Sequence, residues 1–341
     1  MQLAGNDAQW ARAHLAAARV HDFRGDYPAL GQASERVLHH ARLSDDRELQ
    51  AQGLTGMQAA CFYQGHYDQV LPLVDQERAL WASLGRPAAV ARCDHHRGVV
   101  LATLGRTADA QVALADCVAA FDTLGDREMR VHALRELAVV SAQRGQAAQA
   151  LQELQRARAL LHELETGAED WSHLTVQLSR LHRRCAAPAQ AQQVLDDFVQ
   201  RFGDQQAGVV AHVHLERAEL MLELGRPHAA WQALALAERC DASDRQHAAR
   251  LQLLRHELQP TKAAPAADGS GLPNRSLQLA LARTAALSLP AGERARRLSQ
   301  LAAQALDTGL VADALGLQAD TTLAWLEAGQ ADTAAEQARQ L

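Results

Sequence analysis

Sixteen histidines, five cysteines and 34 cationic side chains are the groups in this 341-residue sequence with the most chemistry to offer. The histidines crowd most tightly in Cys93-x-His95-His96 and His212-x-His214. Neighbours one or two apart on a helix point to different faces, so neither cluster has the three- or four-residue spacing of a chelating pair. They read as solvated or groove-lining histidines. Cys61, Cys93, Cys117, Cys185 and Cys240 are odd in number, widely spaced and without a Cys-x-x-Cys pair. Such cysteines in a reducing compartment serve as small buried apolar residues. The paired acids Asp45-Asp46 and Asp196-Asp197 lack a partnered base and read as helix-end or surface charges. No Gly-rich loop ends in Lys-Ser or Lys-Thr, and no Gly-x-Ser-x-Gly or His-Glu-x-x-His is present. The residues therefore predict no catalytic centre, no metal and no cofactor; the chain reads as a non-enzyme.

The elements that must carry these side chains are helices. The sequence holds 71 alanines, one lysine (Lys262), no isoleucine and 4% aromatics. Ala, Leu, Arg, Gln and Glu favour helix, whereas strands draw on β-branched and aromatic residues, so an all-α protein is expected. A net charge of −6 argues against nucleic acid as a partner. No apolar run reaches bilayer length and Met1 to Trp10 lacks signal-peptide features, which predicts a cytoplasmic protein with no membrane partner. The preference for Arg over Lys fits a GC-rich bacterial genome.

A forty-residue register organises the first three quarters. Gly25, Gly65, Gly105, Gly145 and Gly225 fall on it, and the missing member lies within Arg184-Cys185-Ala186-Ala187-Pro188. Five residues after each glycine stand Leu30, Val70, Ala110, Ala150 and Ala230; four further on stand Ser34, Val74, Leu114, Leu154 and Leu234. Seven residues before it the column is mostly small: Ala18, Gln58, Gly98, Ala138 and Ala218. Small side chains let helices cross closely, and a glycine lets one helix end and the next begin. Each unit is thus predicted to be helix, tight turn, helix. First helices are expected near 8–24, 48–64, 88–104, 128–144, 170–184 and 208–224, and second helices near 27–42, 67–83, 107–123, 147–163, 187–201 and 227–240.

The motif Leu137-Ala138…Gly145…Ala150…Leu154…Ala157, repeated as Ala218…Gly225…Ala230…Leu234…Ala237, resembles the tetratricopeptide repeat (TPR) family in a forty-residue variant. Repeat one is looser, with Leu30 at a normally small position, and the fifth repeat needs a one-residue shift that brings Ala191 into register. The resemblance implies an α-solenoid of antiparallel helix pairs in a right-handed superhelix. Residues 1–258 are expected to form about six repeats plus one helix, 259–275 a Pro/Gly/Ala-rich linker, and 276–341 degenerate helical repeats. Gly271-Leu272-Pro273-Asn274-Arg275 is similar to the entry segment of diguanylate cyclase domains, but the rest of that domain does not follow. The sequence stops at Leu341 in an uncapped amphipathic pattern, which predicts a longer parent chain.

In TPR proteins the first helices line a concave groove, and the resemblance projects that groove onto this sequence. Thirteen residues before the landmarks stand Arg12, Gln52, Arg92, His132 and His212; ten before stand Leu15, Thr55, His95, Arg135 and Leu215. The shifted fifth repeat adds His173, Arg180, Arg183 and Arg184, and Phe23, Phe62 and Tyr63 form an aromatic edge. The expectation is a groove for an acidic protein or peptide, with Arg92, Arg135, Arg180 and Arg183 pairing carboxylates and the aromatics packing an apolar anchor. The Lys and Asn of the chaperone-binding carboxylate clamp are absent. The resemblance further implies the sensor or interaction region of a bacterial signalling regulator, similar to STAND-type transcriptional regulators. A stand-alone scaffold and an effector receptor like the quorum-sensing TPR regulators are the alternatives. Oligomeric state stays open, with pairing of two copies through 331–341 one option.

Overall fold

The computed structural model describes residues 2–164, 167–203, 207–239, 245–259, 275–307 and 311–339. Seventeen helices account for almost all of them, and no strand occurs among the described residues. The chain divides into two compact units, Met1–Glu165 and Thr166–Leu341. The first comprises α1 (Gln2–Phe23), α2 (Tyr27–Leu43), α3 (Arg47–Tyr63), α4 (Tyr67–Ser83), α5 (Pro87–Thr103), α6 (Thr107–Leu124), α7 (Arg127–Gln143) and α8 (Ala147–Leu164). The second comprises α9 (Ala168–Arg184), α10 (Pro188–Phe202), α11 (Ala207–Glu223), α12 (Pro227–Arg239), α13 (Arg245–Leu258), α14 (Arg275–Leu287), α15 (Ala291–Asp307), α16 (Val311–Glu327) and α17 (Ala331–Arg339). Cys240, most of the 259–275 stretch and Leu341 lie outside the described residues.

The landmark positions end helices as their backbone demands. At the α1–α2 turn Gly25 has φ +66°, its N–H donates to the Asp22 carbonyl at 2.9 Å, and the Asp26 N–H donates to the His21 carbonyl at 2.9 Å. That paired return of hydrogen bonds needs one left-handed residue, which glycine adopts without strain. At the α9–α10 turn the same pair is made by Ala186 to Arg183 (3.0 Å) and Ala187 to His182 (2.9 Å), so Ala186, at φ +53°, is the left-handed residue. Counting from Ala186, Ala191 and Leu195 take the five- and nine-residue positions and both are fully buried. Ala186→Gly should therefore stabilise the chain by about 1 kcal/mol, the usual cost of a Cβ in this conformation. Urea denaturation checks it, and an unchanged midpoint would show that the turn carries no strain.

The columns form the core. Ala110, Leu114, Ala150, Leu154, Ala230 and Leu234 are at most 2% exposed. At Gly98 an added Cβ would lie 2.7 Å from Leu114 Cγ, which is why that crossing takes no side chain. Gln58 is the long member of the small column, and the buried Glu77 satisfies it: the Gln58 amide donates at 2.6 Å, joined by the Thr55 hydroxyl at 2.8 Å and the Trp81 indole at 2.9 Å. In the second unit α14, α15 and α16 enclose their own core around Leu298, Leu301 and Ala302, and Ala334, five residues after Gly329, is 1% exposed. Cys93 and Cys117 are buried, and burial, helped by Glu77 and Asp94 respectively, pushes each thiol up to about 12. Cys185 departs from the buried expectation because it sits exposed as the C-cap of α9.

Candidate functional site

The first helices of the first unit, α1, α3, α5 and α7, carry the projected groove residues, and the structure separates them into two sets. Each residue turns a helix by about 100°, so Arg92 and His96, four apart, share one face of α5 while His95 points sideways. Arg12, Arg92 and His96 are exposed and His132 is half-buried. His95 and Arg135, by contrast, are 9% and 7% exposed. They pack between helices and do not stand on the open face. The His95 ring meets Phe121 of α6 edge-on at 6.5 Å between centroids. Neither of its ring nitrogens has a hydrogen-bond partner among the described residues. Burial first, then the neighbouring His96, His132 and Arg135, lowers its pKa to about 3. Arg135 Nη1 donates to His132 Nδ1 at 3.4 Å, which places the His132 proton on Nε2 because a guanidinium can only donate.

His96 stands beside Arg92 on that face. Its surface is exposed, yet desolvation by the surrounding helices lowers its pKa, with Arg92 adding to the effect and Glu77 opposing it. Glu136, the equivalent residue on α7, has its pKa raised by the same burial, against the pull of Arg135. Beside Arg92, His96 thus stays neutral at neutral pH. Arg12 and Arg92 make no ion pair among the described residues.

The aromatic edge is mostly engaged. Tyr63 stacks on Tyr27 at 4.4 Å, and Phe62 meets Tyr63 and Tyr67 edge-on while packing beside Val70 and Cys93. Phe62 is half-buried and packs against a core cluster of the fold. Phe23, at the end of α1, is 94% exposed.

In the second unit Arg180 and Arg183 meet carboxylates of the chain itself. Arg180 Nε donates to Glu216 Oε2 at 2.9 Å and Arg183 Nε to Glu223 Oε2 at 2.9 Å; Arg183 Nη1 also bridges Glu216 and Glu219. From α13, Arg250 Nε donates to Glu219 at 3.0 Å and its Nη2 to Glu216 at 3.3 Å. Glu216 is fully buried beneath these three arginines. Burial alone would lower the Arg183 pKa, but the Glu223 hydrogen bond and the charges of Glu216 and Glu219 raise it. Beside this network His173, His212 and His247 form a ladder across α9, α11 and α13, with centroids 6.3 and 5.4 Å apart. The groove projection missed Glu216, Glu219 and Arg250; the signal available was three glutamates of α11 lying 33 to 40 residues from the arginines of α9. Among the described residues no three His, Cys, Asp or Glu side chains are placed to hold a metal ion. None of the described helices is long and apolar enough to cross a membrane.

No family model and no curated protein matches the chain. Solved structures do. The apo form of RapI superposes with a TM-score of 0.54 at 11% identity, covering 74% of this chain and 86% of that one. The apo quorum sensor NprR from B. thuringiensis gives 0.54 at 13% identity over 97% and 86%. A tetratricopeptide repeat protein from Parabacteroides merdae gives 0.50 at 12% identity over 91% and 98%. At these identities the likeness concerns fold alone. The class is all-α, and the fold is a TPR-like solenoid of antiparallel helix pairs.

Proposed function

We propose that the first-helix face of the first unit binds an acidic segment of a protein or peptide, and that the chain is a non-catalytic sensor or interaction module of a cytoplasmic bacterial regulator. The observation that carries this reading is the contrast between two sets of arginines. Arg180 and Arg183 are neutralised internally, whereas Arg12 and Arg92 stand exposed without a carboxylate partner among the described residues. A partner's carboxylates can complete them, with Phe23 as an apolar contact at one end. The fold supports a peptide as occupant: NprR, similar to this chain with a TM-score of 0.52 at 15% identity, has been solved in complex with its cognate peptide NprX. The forty-residue TPR variant, the likeness to STAND-type regulators and the organisation into 1–258, a linker at 259–275 and 276–341 belong to the same reading.

The test uses a random twelve-residue peptide library selected on the full chain. Selected peptides should be rich in Asp and Glu. Their affinity should fall about tenfold or more in Arg12→Ala/Arg92→Ala at low salt, and the difference should shrink as salt screens the exposed pairs. Arg135 is unsuitable for this test because its removal would also disturb packing between helices. Selected peptides without acidic residues, or equal affinity for the double variant, would remove the acidic-partner reading.

A further inference from the structure

The first unit carries a groove on its other side that breaks the packing rule of its own repeats. Three register-equivalent clefts lie where a second helix, the next first helix and the next second helix meet. In the cleft of α2, α3 and α4 the facing residues are Leu38, Leu54 and Met57, and the groove there measures about 380 Å³. In the cleft of α6, α7 and α8 the residues forty positions further on from the middle cleft are Val118, Leu134 and Leu137, all at most 7% exposed. In the middle cleft of α4, α5 and α6 the same positions are Arg78, Asp94 and Arg97.

The middle cleft is also the wider one. Leu73 of the preceding cleft is replaced by Ala113, and the groove widens to about 640 Å³. Arg78 donates to Asp94 at 2.6 Å, Arg97 pairs Asp75 at 3.3 Å and Arg106 pairs Asp109 at 2.7 Å. Asp116, which also lines the groove, makes no ion pair among the described residues. Among the described residues the three arginines already have carboxylates, Asp94, Asp75 and Asp109 respectively, whereas Asp116 has no cation. One turn before Asp116 on α6, Val112 is 64% exposed, and the floor between them is small, with Ala91, Ala113 and Cys117. On α5 the groove residues Asp94 and Arg97 lie on the side of the helix opposite Arg92 and His96, so this surface is separate from the first-helix face.

We infer that the cleft of α4, α5 and α6 is a second docking site, built for a partner polypeptide segment that presents a basic side chain to Asp116 and Asp94 beside an aliphatic side chain against Val112. Apolar residues at positions 78, 94 and 97 would narrow the cleft toward the size of the preceding one. Charge there keeps it wider, and the unpaired Asp116 carboxylate selects a cation. The inference goes beyond the acidic-partner reading and does not depend on it, since the two surfaces select opposite charges.

The random twelve-residue peptide library, selected on the full chain and counter-selected on Asp116→Asn, tests it. Peptides that distinguish the two should carry Arg or Lys next to an aliphatic residue and bind the Asp116→Asn and Val112→Glu variants at least about tenfold more weakly. They should bind Arg12→Ala/Arg92→Ala as well as the parent. In the triple variant Arg78→Leu/Asp94→Leu/Arg97→Met, which restores the residues of the preceding cleft, binding should be lost while the melting temperature stays level or rises. If no peptide distinguishes Asp116→Asn, if those that do lack a basic residue, or if the triple variant still binds, the inference is overturned. A lower melting temperature of the triple variant overturns it too, because the charges would then belong to the packing of the fold.

Discussion

His95→Leu should raise stability at neutral pH and flatten its loss in acid. The parent ring is buried with both nitrogens unpaired, a situation that typically costs about 1–3 kcal/mol. Leucine already fills the same column at Leu15 and Leu215. The acid effect follows from the His95 pKa, which burial lowers from 6.5 to about 3. Above the ordinary value the ring is neutral in both states and adds no pH dependence to stability. As the pH falls below it, the unfolded chain takes up a proton that the folded chain refuses until about pH 3. At about 1.4 kcal/mol per unit, the parent should lose roughly 2–3 kcal/mol at this one site between pH 7 and pH 4.5. Urea denaturation of parent and variant at the two pH values measures the difference. Parallel losses in both would mean that His95 is not the group refusing the proton.

Glu216→Ala should be the most damaging single change in the second unit. It removes a fully buried carboxylate and leaves Arg180, Arg183 and Arg250 facing one another with only Glu219 and Glu223 to balance them. Breaking such a buried network from one side costs about 3–5 kcal/mol. Glu223 makes its bond to Arg183 with a side chain 54% exposed, so Glu223→Ala should cost less than about 1 kcal/mol. Chemical denaturation of the two variants separates them, and similar losses would show that the network is solvated throughout. Arg250→Met in the Glu216→Ala background should recover part of the loss, since it removes an uncompensated charge from the interior.

Much of the fold was legible in the chain because its signals are local. A left-handed turn residue, a small residue at a crossing and a leucine nine positions after the turn lie within one helix pair, and each constrains the backbone near itself. Even the hidden landmark at Ala186 could be placed to within one residue, from Ala191 behind it. The candidate site was legible only as columns. Spacing put Arg92 and His95 on the same helix, but which of them faces open space depends on where α6 lies, and Phe121 decides that by receiving His95. Arg183 read as a free cation because its carboxylates stand 33 to 40 residues away on α11.

The sequence by itself determined that this protein is a chain of antiparallel helix pairs, because helix, turn and crossing are all encoded within about forty residues. Only the tertiary structure decided which charges are spent and which are offered. An arginine is neutralised or left open according to what the next helix brings within about 3–4 Å, and charge at so short a range acts between residues remote in sequence. That physical fact turns Arg180 and Arg183 into internal braces, leaves Arg12 and Arg92 without a carboxylate among the described residues, and lines the cleft of α4, α5 and α6 with Arg78, Asp94 and Arg97 where the preceding cleft has leucine and methionine.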